Sequence, residues 1–437
     1  MLRFAPSPTG DMHIGNLRVA IFNYLYSLQI NDEFIIRIED TDKAKNIEGK
    51  DEEILLLLEK FAIIYSQKLY QSENLHIHQT LAIKLLEEKK AFICLCSAED
   101  LEKDREKAKS NSIAYRYSGI CMDSDIAQMQ ELKENKIPFV IRLKKPTSDT
   151  ITQDVIKGDI TTAPNDIDSF VILKADGTPT YNFACACDDM LSGVNFIICG
   201  ENHLSNTPKQ KHIKTSLGYE SETKYVHLPI ILNMDGKKMG KRDDASGVKW
   251  LLEEGFLPDA IINYLILLGN NSQAPTEIFT LPEALEWFKL ENISEKDVKF
   301  DIDRLRFINR EHIRLMDDKK LSTLFGWSED NIGKLAKNYL EEVSTTNEID
   351  AKIKSIFSKK ELNGEWAEEM KIIQDIIFDA PMFEEFNDFK KHIMDKSGLN
   401  SKKLFKPLRI LMTGEEQGVE LDKIYPLIKS YITEVIS

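Results

Sequence analysis

The sequence predicts a two-part molecule, an α/β N-terminal half built on a parallel sheet and a mostly α-helical C-terminal half. Three observations carry this. Over the first 65 residues, short apolar runs alternate with helical stretches. Strand-like runs return after residue 178, as if a sheet had been interrupted by an insertion. Beyond about residue 246, helical periodicity replaces β-branched alternation. In order, Leu2 to Ala5 reads as a strand that ends at the dense turn signal Pro6-Ser7-Pro8-Thr9-Gly10. From Ile14 to Gln29, apolar residues recur at helical spacing (Leu17, Ala20, Ile21, Tyr24, Leu25, Leu28). Phe34 to Ile38 then reads as a buried strand and Ile54 to Ile63 as a second helix. Strand, helix, strand, helix points to parallel strands joined by crossover helices. Pro138 to Leu143, Thr178 to Cys187 and Asn195 to Gly200 read as further strands. Leu251 to Leu268, Leu281 to Phe288, Lys319 to Phe325 and much of 331–437 carry helical periodicity.

Composition narrows the function. The 437 residues are 42% hydrophobic and 30% charged, with a net charge of −15. That balance excludes a basic, arm-type nucleic-acid binder, so any nucleic-acid site has to be a local basic patch on an acidic body. The apolar content argues against disorder. No apolar run approaches a membrane span, and the first six residues lack a signal-peptide layout. Six cysteines in so long a chain are no disulfide scaffold, which points to a reducing cytoplasm.

Two loops carry chemistry. The turn at residues 6–10 runs into a helix that opens near His13-Ile14-Gly15-Asn16. Free backbone N–H groups and the positive dipole end suit a phosphate there, and Gly15 permits close approach of a ligand. The second loop is Asp235-Gly236-Lys237-Lys238-Met239-Gly240-Lys241-Arg242, which lacks the spacing and the Ser or Thr of a Walker loop. It lies in the window 203–249, which is net +4 inside an acidic protein. Lysines on such a loop suit charge developing on a transferring phosphoryl group. Taken singly, each loop is equally an ordinary helix start or a solvated basic hairpin.

Together, in this order and at this separation, they resemble the class I aminoacyl-tRNA synthetases and, within them, the bacterial glutamyl-tRNA synthetases. Arg3 to Gly10 with His13-Ile14-Gly15-Asn16 is similar to the family's first signature, and Arg37-Ile38-Glu39-Asp40-Thr41-Asp42 to its next block. Asp176 to Ala184, His203 to Gln210, Lys238-Met239-Gly240-Lys241-Arg242 and Lys406-Pro407-Leu408-Arg409 with Thr413-Gly414 follow in order. The resemblance implies a Rossmann-like catalytic domain with an α+β insertion. Its expected divisions are catalytic halves 1–75 and 176–245, an acceptor-arm insertion 76–175, a helical stem-contact domain 246–320 and a helical anticodon-binding region 321–437. It also implies ATP with Mg²⁺, L-glutamate, and tRNA(Glu) or tRNA(Gln) as partners, and a monomer. By the same resemblance His13, Lys238 and Lys241 are catalytic. Thr9, Gly10, His13, Gly15, Asn16, His203, Lys238 and Lys241 hold the nucleotide. Arg3, Ala5, Ser7, Glu39, Tyr181 and Cys199 fall on the amino-acid pocket.

Three positions depart from the family. Cys199-Gly200-Glu201-Asn202-His203 stands where Arg-Gly-Glu-Asp-His is usual, and Gly240 replaces the serine of the lysine loop. A lost charge-assisted hydrogen bond is worth about 1.5–3 kcal/mol, or roughly ten- to a hundredfold in affinity. Slower activation is the expectation. A glutaminyl-specific enzyme of the same fold and a weakened paralogue that only binds tRNA stay open as alternatives. Cys94-x-Cys96 with Cys121 is a candidate zinc site whose fourth ligand is Tyr117 or Asp123, and Tyr117 matches a Tyr-x-x-x-Cys spacing found in some family members. The plain alternative is three reduced cysteines. Cys185 and Cys187, alternating along the strand expected there, read as packing residues. Basic residues of 203–249 and Lys402-Lys403-Leu404-Phe405-Lys406 are the candidate tRNA contacts.

Overall fold

The computed structural model describes residues 1–240, 244–272 and 274–437. The chain divides into two compact units, one formed by residues 1–249 and 265–300, the other by 250–264 and 301–437.

The first unit opens with β1 (Leu2–Phe4), α1 (Ile14–Gln29), β2 (Phe34–Ile38), α2 (Lys50–Lys60) and β3 (Gln67–Tyr70). These strands form a parallel sheet in the order β1-β2-β3. The expected alternation is present because β1 and β2 are short, wholly buried runs and each crossover helix has one apolar stripe, whereas β3 is a half-exposed edge strand. Every residue of β1 and β2 is buried, including Arg3 and Arg37. After α3 (Leu75–Glu87) come β4 (Ala91–Cys94), α4 (Ala98–Ser110), α5 (Ala127–Glu134) and β5 (Val140–Leu143). Then follow β6 (Thr150–Asp154), β7 (Gly158–Thr162), α6 (Pro164–Ile167) and β8 (Phe170–Leu173). Strands β4-β5-β8 make an antiparallel sheet of their own.

Next come α7 (Tyr181–Leu191), β9 (Phe196–Gly200), α8 (Thr207–Ser216), β10 (Lys224–Leu228) and β11 (Ile231–Leu232). The sheet β7-β6-β10-β9 pairs β10 in parallel with both β9 and β6. Met1 O accepts from Asn195 N at 3.4 Å, which links the start of β1 to the start of β9. The strand expected over Thr178 to Cys187 is in fact the helix α7. Residues Phe183 to Asp189 are all buried, and a helix buried on every side shows no polar face for periodicity to reveal. Cys185 and Cys187 therefore point in different directions from one helix rather than sharing one face of a strand.

Further along are α9 (Val248–Glu253), α10 (Pro258–Leu267), α11 (Leu281–Trp287) and β12 (Val298–Lys299). The helical run expected over Leu251 to Leu268 is broken between α9 and α10 at Gly255, whose φ of +87° suits glycine.

The second unit is helical: α12 (Ile302–Leu315), α13 (Asp318–Leu324), α14 (Asn331–Asn338), α15 (Thr346–Phe357), α16 (Ala367–Phe378), α17 (Phe386–Ser397), α18 (Ser401–Thr413), α19 (Leu421–Ile428) and α20 (Ile432–Val435). Its core gathers Ile353, Ile373, Phe389, Leu408 and Tyr425 from successive helices. Asp301 caps α12, and Thr345 with Glu348 forms a capping box on α15. Among the described residues, no helix is long and apolar enough to cross a membrane.

Candidate functional site

The carboxyl ends of β1, β2 and β9 open onto a pocket of about 270 Å³ in the first unit. In an open α/β sheet this edge is where ligands bind. Arg3, Ala5, His13, Gly15, Asn16, Glu39, Tyr181, Cys199, His203 and Lys238 all line it. Those residues come from six separate stretches of sequence, so the structure brings together most of the expected site. Ser7, Thr9 and Gly10 are not on the wall. Their turn is held by its own neighbours: Thr9 N donates to Ser7 O at 2.9 Å, and Pro6 O accepts from Glu39 N at 2.9 Å. Ser7 is exposed to solvent. Lys241 and Arg242 lie outside the described residues.

His13 is the N-cap of α1, and its Nδ1 accepts the Gly15 N–H at 3.0 Å. An accepting Nδ1 places the proton of the neutral ring on Nε2. The Lys238 loop reaches the same region by a tight hairpin. Asn233 N donates to Lys237 O at 2.8 Å, Gly236 takes a φ of +78°, and Lys238 bridges back to Leu232. Beyond the loop, Gly247 forms an isolated bridge with His13, and Val248 N donates to Met12 O at 3.0 Å. The two loops singled out in the sequence thus converge, with cationic Lys238 and the start of α1 on one pocket.

Beneath the pocket lies a buried charge cluster that sequence reasoning missed. Asp189, at the end of α7, accepts from Arg3 Nε at 3.1 Å and from Arg37 at 2.6 Å, both on Oδ1. Arg37 also bonds Glu39 Oε1 at 3.1 Å, and the Cys185 thiol donates to the same oxygen at 3.0 Å. Burial opposes ionisation of Asp189, but Arg3 and Arg37 outweigh it and hold the carboxyl well below its usual range. Arg3 spends only Nε on Asp189, and its terminal nitrogens are the fork that suits a ligand carboxylate. Glu39 is fixed by Arg37 and Cys185 while lining the pocket, as an ammonium partner should be. Cys185 is thus more than packing, whereas Cys187 belongs to the apolar core. A charged residue inside the apolar run Phe34–Ile38 was the signal for Arg37, and adjacent acids Asp188-Asp189 after an apolar stretch were the signal for the other end.

Tyr181 Oη is 3.1 Å from His203 Nδ1. Burial first, then Arg3, His227 and Lys238, push the His203 imidazole below its ordinary value. A neutral ring can accept the tyrosine proton and leave the phenol oxygen to a ligand.

A second cluster lies in the 76–175 stretch. The thiols of Cys94, Cys96 and Cys121 all fall within 4.8 Å of one another. Cys96 and Cys121 are 3.7 Å apart, and Tyr117 Oη lies 3.4 and 3.5 Å from Cys94 and Cys96. A tetrahedral zinc with ~2.3 Å Zn–S bonds sets sulfurs about 3.8 Å apart, so this donor set fits the ion. The Arg142 guanidinium stands 4.4 Å over the Tyr117 ring, where a cation offsets the charge of several ionised ligands. Asp123 is not part of this cluster.

Residues 1–307 match the family model described as tRNA synthetases class I (E and Q), catalytic domain. The chain is 57% identical over 437 residues to glutamate–tRNA ligase 2 of a Sulfurovum species, with all of both chains covered. It is 55% identical over 436 residues to glutamate–tRNA ligase 1 of a Nitratiruptor species, again over both full lengths. Among solved structures it resembles a glutamate tRNA ligase from Elizabethkingia meningosepticum in complex with its amino acid. That match has a TM-score of 0.84 at 25% identity and covers 100% of this chain and 98% of the other. A pocket built from the first signature, the lysine loop and β9, together with likeness over the whole length, places the chain in the class I glutamyl-tRNA synthetase family.

Proposed function

We propose that the protein attaches L-glutamate to the 3′ end of tRNA in two steps, with ATP as the activating nucleotide. An oxygen of the α-carboxylate attacks the α-phosphorus, the bond to the bridging oxygen breaks, and pyrophosphate leaves as glutamyl-adenylate forms. The terminal ribose hydroxyl of tRNA then attacks the carbonyl carbon, loses its proton and displaces AMP. Such chemistry needs in-line placement and charge stabilisation more than covalent help from the protein. Arg3 takes a substrate carboxylate, Glu39 the ammonium, and the Tyr181 oxygen, its proton turned to His203, accepts a hydrogen bond from the substrate. His13 and the start of α1 hold ATP beside Gly15 and Asn16. Lys238, with Lys241, stabilises negative charge as it grows on the phosphoryl oxygens, and Mg²⁺ accompanies the ATP phosphates.

The observation that carries this reading is the single pocket shared by Arg3, Glu39, His13 and Lys238. The helical second unit supports an anticodon-reading role for 321–437, with 246–320 on the stem and 76–175 on the acceptor arm. Zinc held by Cys94, Cys96, Cys121 and Tyr117 stabilises the latter. The acceptor is tRNA(Glu), tRNA(Gln) or both, and the enzyme works as a cytoplasmic monomer. Cys199 on the pocket wall favours a second reading, a glutamine-charging enzyme, because a thiol carries no charge for a carboxylate. Charging assays with labelled glutamate or glutamine on purified tRNA(Glu) and tRNA(Gln) separate them. Glutamate on either tRNA is the expected result. Glutamine incorporation would replace the substrate, and no charging would leave only a tRNA-binding paralogue.

A further inference from the structure

Behind the pocket wall formed by Cys199 and Thr207 lies His227, wholly buried on β10. Parallel pairing sets it level with Cys199 on β9. His227 Nδ1 is 2.6 Å from Asp154 Oδ2, and Nε2 is 2.8 Å from Thr207 Oγ1. Asp154 is itself held by backbone donors. Oδ2 takes the His227 N–H at 3.0 Å, while Oδ1 takes those of Ile156 and Lys157 at 2.9 and 2.8 Å. A carboxylate with three such bonds stays ionised, and an ionised carboxylate on Nδ1 favours the imidazolium.

The remaining neighbours agree with a charged ring. The Tyr225 ring stacks on it with centroids 6.2 Å apart and an interplanar angle of 11°. Among titratable groups, Asp154 comes from β6, Cys199 from β9 and His203 from the turn before α8. Burial resists protonation, but Asp154 and Cys199 outweigh it and push the imidazole up to about 9. With both nitrogens protonated, Nε2–H donates to Thr207, and the Thr207 hydroxyl is left to donate toward His203 O at 3.5 Å. Arg3 and Lys238 stand beside His203 on the pocket wall, and His227 lies behind it.

We propose that His227 is a positioning and specificity residue for the substrate carboxylate, turning the imidazolium end of its ion pair with Asp154 toward the Cys199 and Thr207 wall so that the pocket favours an acid over its amide. The inference rests on the glutamate reading above. It also explains how a pocket with a thiol on its wall selects glutamate.

The test is charging kinetics of the full-length chain with saturating tRNA, comparing wild type, His227→Gln, Asp154→Asn and the double variant His227→Gln/Cys199→Arg. His227→Gln should raise KM for glutamate about tenfold, leave KM for ATP within about twofold and narrow the preference over glutamine. Wild-type KM for glutamate should climb as pH passes about 9, and that of His227→Gln should not. The added arginine should restore the glutamate KM. Glutamate and ATP constants that rise together, or a pH profile identical in wild type and variant, would overturn the proposal. Should the variants fail to fold, NMR titration of the wild-type ring decides: an imidazolium at pH 7.5 supports it and a neutral ring overturns it. A folded wild type that charges no glutamate would instead remove the parent reading.

Discussion

Asp189 is shared by two buried arginines, and each of them faces the pocket directly or through Glu39. Removing one partner of a buried pair costs roughly 3–5 kcal/mol, because the charge left behind is unsolvated. Asp189→Asn should therefore lower stability by about 3 kcal/mol and raise KM for glutamate, read by urea unfolding and charging kinetics. An unchanged unfolding midpoint would mean that the carboxylate does not hold the arginines. The His227–Asp154 pair makes a second prediction at this scale. The folded His227 pKa lies above its unfolded value, so its contribution, on the order of 3 kcal/mol, is complete below about pH 6.5 and lost as pH rises through about 9. Wild-type stability should fall over that window, while Asp154→Asn, already lacking the pair, should change little. Arg3, Glu39 and Cys199 were legible in the sequence because short motifs contain them. Asp189 was not, since its partners lie 186 and 152 residues away and only folding brings them together.

Close packing between helices decides matters at the level of elements. Gly333 in α14 lies against the start of α13, where an added Cβ would fall 1.9 Å from Asp318 O, and its N–H donates to Ser322 Oγ at 2.6 Å. Its backbone is helical, so the constraint is purely steric. Gly333→Ala should destabilise the chain by roughly 2–3 kcal/mol in thermal or urea unfolding, as overpacking typically does. Tolerance of alanine would show that the two helices can separate at little cost. The cysteine cluster acts on the stretch between β4 and β5. Purified protein should carry one zinc per chain, and Cys121→Ala should abolish it and speed proteolysis within residues 94–121. Metal analysis with no zinc would reduce the cluster to three thiols and a phenol. Periodicity found α1 and the C-terminal helices, whose apolar stripes face one side, and β2 showed as a short apolar run. It failed at α7 because burial on every side erases the stripe.

For the whole molecule, a net charge of −15 surrounds the basic residues of the 203–249 window. Affinity for tRNA should fall steeply with salt, with a log–log slope set by the few phosphates contacted. A filter-binding series from low to moderate salt reads that slope, and a flat series would contradict an electrostatic contact. The order of the first strands and helices, from β1 to α2, could be read from alternating runs, but the interleaving of the later strands could not. Tyr225 on β10 pairs in parallel with Asp154 on β6, which adds the β6–β7 hairpin to the edge of the sheet whose β9 borders the pocket. Such long-range pairing leaves no local trace in sequence. Every role assigned above converges on activation of glutamate in this pocket. Glutamate-dependent ATP–pyrophosphate exchange with tRNA present, in wild type and Lys238→Ala, reads that step. Exchange should be present in wild type and fall about a hundredfold in the variant, as loss of a cation on a developing phosphoryl charge demands. No glutamate-dependent exchange in wild type, or full exchange in Lys238→Ala, would contradict it.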